Sequence, residues 1–186
     1  MSRIIGPIRQ VGHVVRDVDS AMAYWTDTLG IGPFYVVREA RMANFHYRGH
    51  RSQDIVITMA FAQSGDVQIE LIQQHNEAPS AFREFLSAGR EGVQHLSPWF
   101  DDPAAYDAAR AALIAQGMTL VHETVHLTAD DIGSPRFVYF ETGRPEAPLI
   151  ELSEALLPAV RIVPDTVAEA ARQWDGSDPI RDFRFG

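Results

Sequence analysis

The sequence predicts an α+β fold in which one unit is written twice and a tail is added. Three observations carry this. Two short strand-like runs each set one acid among apolar residues: VQIELI at 67–72 with Glu70, and LIELS at 149–153 with Glu151. Far upstream of each lies a strand-like run bearing a histidine, His13 in RQVGHVVR and His95 in GVQHLSPWF, and each leads into a helix that ends in glycine. The spacings also agree, with 57 residues from His13 to Glu70 and 56 from His95 to Glu151. A register shared across a whole unit is a mark of internal duplication.

The first unit opens with a strand over 9–16, where Val11, Val14 and Val15 are strand formers. Asp19 or Ser20 is the expected cap of a helix over 20–29, which Gly30 ends. Met22, Trp25 and Leu29 fall on one face of that helix and are expected to pack on a sheet. After the turn at Gly32 and Pro33, strands are expected at 34–38, 43–48, 54–61 and, past the turn at 64–66, at 67–73. A break at 76–79 precedes a connector helix over 81–88, capped by Ser80 and ended by Gly89.

The second unit repeats the order. A strand over 92–100 is followed by Asp101, Asp102 and Pro103, a strong helix start, and by a helix to Gln116 that Gly117 ends. Strands are expected at 118–124, 137–141 and 149–153. Residues 1–155 therefore read as one domain, with module one at about 8–74, a connector at 75–91 and module two at about 92–154. Residues 156–186 read as a C-terminal extension: an apolar extended crossing over 156–164, a helix over 167–174 capped by Asp165 or Thr166, and a polar, turn-like tail.

Composition narrows the function. A net charge of −9 argues against a nucleic-acid surface and against an anionic membrane. The chain has no cysteine, which excludes disulfides and thiolate chemistry. Its N-terminus lacks an apolar signal region and no apolar run approaches the length of a membrane span, so the expected compartment is the cytoplasm.

The chemistry is concentrated in four residues. A carboxylate in an apolar strand is costly to bury unless it has a partner, often a metal. His13, Glu70, His95 and Glu151 are a ligand set for a divalent ion, and imidazole with carboxylate suits Zn, Ni, Co, Fe or Mn. HETVH at 122–126 matches a zinc-protease spacing that works on a helix. Here its setting is rich in β-branched residues and reads as a strand, which would hold His122 and His126 about 13 Å apart, too far for one ion. His46, His50 and His75 are given no role.

Residues 8–154 resemble the vicinal oxygen chelate superfamily, the group of glyoxalase I, methylmalonyl-CoA epimerase, the bleomycin-resistance proteins and the extradiol dioxygenases. The resemblance rests on VGHVVRDVDSAMAYWTDTLGI, GVQHLSPWFDD and FVYFETGRPEAPLIEL. It implies two paired βαβββ modules forming a cupped mixed sheet of the glyoxalase-like kind. A metal would sit in the cup on His13, Glu70, His95 and Glu151, a pattern most similar to bacterial glyoxalase I. The implied activity is that of a metal-dependent isomerase, epimerase or lyase. It would enolise a carbonyl small molecule chelated to the metal, with Glu151 and Glu70, on opposite modules, as the catalytic carboxylates. The epimerase pattern also implies an acid in the third strand of module one, where this chain has Ile57 and Thr58. The alternatives are a ring-cleaving dioxygenase holding Fe(II) on His13, His95 and Glu151, and a non-catalytic protein that sequesters an apolar small molecule. Phe34, Tyr35, Phe45, Tyr47 and Trp99 favour an apolar or aromatic substrate. Family members commonly dimerise, so a homodimer is expected, with a strand edge or the segment 156–163 as its surface.

Overall fold

The computed structural model describes residues 2–124, 135–144 and 146–183. Among the described residues eleven strands, including β3 (Phe45–Tyr47), β4 (His50–Arg51) and β11 (Ile180–Asp182), form a single mixed sheet in the order β11-β2-β5-β6-β1-β7-β10-β9-β8-β3-β4. Module one supplies β1 (Ile8–Val14), β2 (Phe34–Met42), β5 (Ile55–Ser64) and β6 (Val67–Gln74). Module two supplies β7 (Gly92–Pro98), β8 (Thr119–Thr124), β9 (Phe137–Glu141) and β10 (Leu149–Ser153). The modules join where β1 runs antiparallel to β7. On either side of that seam, β1 pairs in parallel with β6 and β7 pairs in parallel with β10. Both acid-bearing strands therefore sit next to the central pair, and the α+β, two-module reading matches the observed sheet.

Strand alternation divides the sheet into an inner and an outer face. On β6, Ile69 and Leu71 pack beneath α1 (Val18–Ala23, continued by a π-helical turn over Tyr24–Thr28) together with Val18, Met22, Phe34 and Val36. On β9 and β10, Val138, Phe140 and Leu152 pack beneath α3 (Pro103–Ala115) with Tyr106, Ala109 and Leu113. The residues between them point into the cup. There Ile57, Ile72 and Tyr139 meet Phe82 and Phe85 of α2 (Ala81–Ser87).

Several boundaries differ from expectation. The cap of α1 is Asp17, whose carboxylate accepts the Ser20 amide at 3.0 Å, so the helix starts at Val18. Ser80 caps α2 as expected, and at the expected helix start of α3 the cap is Asp102. The residues expected as a module-one strand over 43–48 instead leave that module. β3 (Phe45–Tyr47) crosses to pair with β8, and β4 (His50–Arg51) extends that far edge. The crossing is secured by Phe45, which is fully buried against His122.

The extension is also more ordered than its composition suggests. α4 spans Ile162–Gln173 and starts before Pro164, which lies in the first turn, where a missing amide costs no intrahelical bond. The tail then adds β11 (Ile180–Asp182), parallel to β2, and Phe34 donates its amide to the Pro179 carbonyl at 2.8 Å. No helix among the described residues is long and apolar enough to cross a membrane.

Candidate metal centre

At the seam of the two modules, Glu70, His95 and Glu151 bring one ligand atom each within 4.8 Å of the others. All three side chains are buried, His95 completely. His95 Nε2 lies 3.2 Å from Glu70 Oε2 and 3.5 Å from Glu151 Oε2. A third of the group thus comes from each of β6, β7 and β10.

The positions follow from register. Gly12 is opposite His95 in the β1–β7 pair, and a Cβ at Gly12 would fall 1.9–2.5 Å from the His95 ring. Glycine is therefore the residue that lets the imidazole lie across β1. Beside His95 the pairing skips a residue, with Gly12 opposite His95 and His13 opposite Val93. Such a bulge re-aims side chains, and it leaves Gln94 buried next to His95. Gln94 donates its amide to the Ala81 carbonyl at 2.9 Å, which turns its own carbonyl toward His95 Nδ1 at 3.0 Å. The Nδ1 atom accordingly carries the proton, and the Nε2 lone pair of the neutral ring faces the two carboxylates.

That geometry converges three acceptors on one point. Burial pushes the Glu70 carboxyl up to about 8 and that of Glu151 up to about 7, the latter also raised by Glu70 and lowered by His95. Burial holds His95 below its ordinary value. Glu151 Oε2 is buried and accepts no hydrogen bond. A divalent cation matches this set of one imidazole and two carboxylates, whose facing atoms converge within 4.8 Å. Tyr139 supports it from β9: its ring is 5.0 Å from His95, its hydroxyl bonds to Glu151, and burial raises its pKa, which keeps that hydroxyl a donor.

His13 is not in the group. It sits opposite Leu71 in the β1–β6 register, one step out of phase with Gly12 and Glu70, and so lies on the outer face with its ring 5.3 Å from Trp25. The His13–His95–Glu151 set required by the dioxygenase alternative is therefore not formed. The module-one counterpart of His95 is Gln10. Gln10 faces Ser97 across the seam as His95 faces Gly12, and it points into the cup, donating to Gln68 Oε1 at 2.8 Å. The sequence contains a signal for this: Gln10 and His95 each stand seven residues before the aspartate that caps the next helix, Asp17 and Asp102.

The cluster forms one end of a cavity of about 260 Å³. Its body is apolar, with Ile57, Met59, Phe61, Phe82, Trp99 and Phe137 among its walls. Of the five aromatics singled out in the sequence, Trp99 lines this cavity, whereas Phe34 and Phe45 are fully buried in the packed layers. His122, from the HETVH stretch, is fully buried on β8 among the rings of Phe45, Phe82 and Tyr139. His126 lies outside the described residues.

A cupped sheet of two matched modules holds a buried imidazole–carboxylate group at its seam. The chain matches the Glyoxalase/Bleomycin resistance protein/Dioxygenase superfamily over residues 9–139, and it belongs to that superfamily. Among solved structures it is similar to methylmalonyl-CoA epimerase from Mycobacterium tuberculosis, with a TM-score of 0.53 and 23% identity over 88% of this chain and 95% of that one. It is also similar to a variant of the Streptomyces coelicolor methylmalonyl-CoA epimerase in complex with 2-nitronate-propionyl-CoA, with a TM-score of 0.51 and 19% identity over 80% and 94%. A hypothetical protein of Bacillus halodurans C-125 matches at 0.51 and 12% identity over 79% and 92%. At these identities the likeness is one of fold. No functionally curated protein matches the chain.

Proposed function

We propose that this protein is a metal-dependent isomerase, epimerase or lyase that removes a proton from the carbon next to a carbonyl. The observation that carries this is the convergence of Glu70, His95 and Glu151 at the end of an apolar cavity. A divalent ion held by these three residues, with Gln10 beside them, would supply Lewis-acid polarisation of the substrate carbonyl.

The chain's own residues would do the rest. The apolar walls exclude water and hold the substrate's body, so that its carbonyl end meets the polar end of the cavity. Glu70 and Glu151 approach from opposite modules, and a carboxylate that swings off the ion or sits beside it serves as the general base. One carboxylate accepts the α-proton while the C–H electron pair passes to the carbonyl oxygen as the enolate forms. Return of the proton to the same face gives isomerisation or exchange, and delivery from the other carboxylate gives epimerisation. Ile57 and Thr58, where the epimerase pattern implies an acid, lie on β5, so the two glutamates are the bases this reading uses.

The test is α-proton exchange. The protein loaded with Ni, Co or Zn is incubated in D₂O with 2-oxo thioesters, hemithioacetals and lactones, and deuterium incorporation is followed by proton NMR. Exchange that needs metal and disappears in Glu151→Gln or Glu70→Gln supports the reading. No exchange by fully loaded protein with any of these classes overturns it.

A further inference from the structure

The extension does more than complete the sheet. Ala155, Val160, Val163 and Pro164 line the same cavity as Glu70 and Glu151, and α4 packs directly on β5, which carries Ile57, Met59 and Phe61. The segment expected as an extended crossing or a dimer surface thus closes one side of the cup within its own chain. It is held from behind at several points. Val167 is fully buried, β11 pairs with β2, and the Phe183 amide donates to the Val36 carbonyl at 2.8 Å. The Trp174 ring occupies the space that a Cβ on Gly32 would enter at 2.9 Å, and its indole donates to the Ser177 carbonyl at 2.8 Å.

The charge of the lining is equally specific. Arg136 is the one cation among the described lining residues. It is already committed, to both oxygens of the buried Glu154 at 2.6 and 3.0 Å and to Asp107 at 2.8 Å, with its guanidinium 4.4 Å over the Tyr106 ring. Bidentate, stacked arginine of this kind is a structural anchor with its charge neutralised. The described lining therefore offers an anion no free countercharge; its unpartnered donors, Gln68 Nε2 and Trp99 Nε1, are neutral groups suited to an uncharged acceptor.

We propose that residues 155–164 form a specificity-determining roof that restricts the cavity to a compact, uncharged carbonyl compound with an apolar body, rejecting molecules that carry a carboxylate or phosphate on that body. This rests on reading the cavity as the substrate site. The volume, about 260 Å³, lies just below the range of ligand pockets, about 300 to 1,000 Å³. Burying an anion without a countercharge in such a lining is costly, and that cost discriminates against it.

The experiment uses a matched pair of fluorescent probes, 2-naphthol and 6-hydroxy-2-naphthoate, titrated into the full chain with chelator present. Wild type is expected to bind 2-naphthol at least about tenfold more tightly than the naphthoate, a difference of about 1.4 kcal/mol. Val163→Arg, which places a cation in the roof, is expected to bring the ratio to about one or reverse it, and Val160→Trp to weaken both probes. Circular dichroism of each variant confirms that it is folded. Equal binding of the two probes by wild type, absence of binding by 2-naphthol, or a ratio unmoved in folded Val163→Arg would overturn the proposal. Because these titrations contain no metal and no turnover, failure of the proton-abstraction reading leaves their outcome readable on its own.

Discussion

The ring of His95 lies on Gly12, in space that any side chain at position 12 would occupy. The two residues face each other across the β1–β7 seam, so the link between the modules and the placement of the imidazole are one contact. Gly12→Ala must displace the ring or part the strands. Overpacking of this sort costs about 1–3 kcal/mol. The expected result is a folded protein of lower melting temperature whose affinity for Zn or Ni, measured by titration calorimetry, falls at least about tenfold.

Gln94 fixes the His95 tautomer through its carbonyl, while its amide is spent on Ala81. Gln94→Leu keeps the bulk but removes that acceptor. Loss of such a supporting bond lowers metal affinity by about 10–100-fold, and the same titration reads it. An unchanged affinity would mean that the tautomer is set elsewhere.

Stability of the metal-free protein is expected to fall as pH rises above neutrality. In the folded state Glu70 and Glu151 titrate at about 8 and about 7, above their ordinary carboxylate values, so the folded chain holds protons that the unfolded chain has already released. His95, His13 and His122 are shifted the other way, and their contribution rises with pH and is nearly complete at about pH 7.5, one unit above the unfolded histidine value of about 6.5. Between about pH 7.5 and 8.5 the glutamates, Glu70 above all, therefore set the slope among these buried groups. Urea denaturation at both pH values, with chelator, measures it. The decline is expected in wild type and is expected to flatten when both residues are changed to glutamine.

Much of this was legible in the sequence because it is local. The I-E-L strands, β9, the Ser80 and Asp102 caps and the duplicated order are set by alternation, turn residues and capping chemistry within a few positions of each other. Matching residue types across the modules makes His13 the counterpart of His95, whereas strand register gives that place to Gln10. Which face a strand residue occupies depends on its phase relative to its neighbours, and a one-step difference from Gly12 sends His13 under α1. Gln10 gives little signal in the sequence, because an amide is a weaker metal-ligand signature than an imidazole. The crossing of β3 to β8 and the pairing of β11 with β2 are long-range events with few residues in each strand, and local pattern does not encode them. Pro164 marked a break to the eye, although the first turn of a helix accepts it.

Gln10 provides a gain-of-function check. It occupies in module one the place that His95 has in module two, and it opens into the cup. Gln10→His would add a second imidazole there. The expected outcome is metal affinity raised by about tenfold, since imidazole is the stronger ligand. A decrease would show that the Gln10–Gln68 bond matters more to the site than the added nitrogen.

The central claim is that Glu70, His95 and Glu151 hold one divalent ion and that His13 does not. Elemental analysis of purified protein after incubation with Ni, Co, Zn or Fe(II) tests it most directly, comparing wild type with His13→Ala and His95→Ala. The account predicts about one ion per chain in wild type and in His13→Ala, and none in His95→Ala. An ion lost on removing His13, or wild-type protein that takes up no metal under any of these conditions, would contradict it.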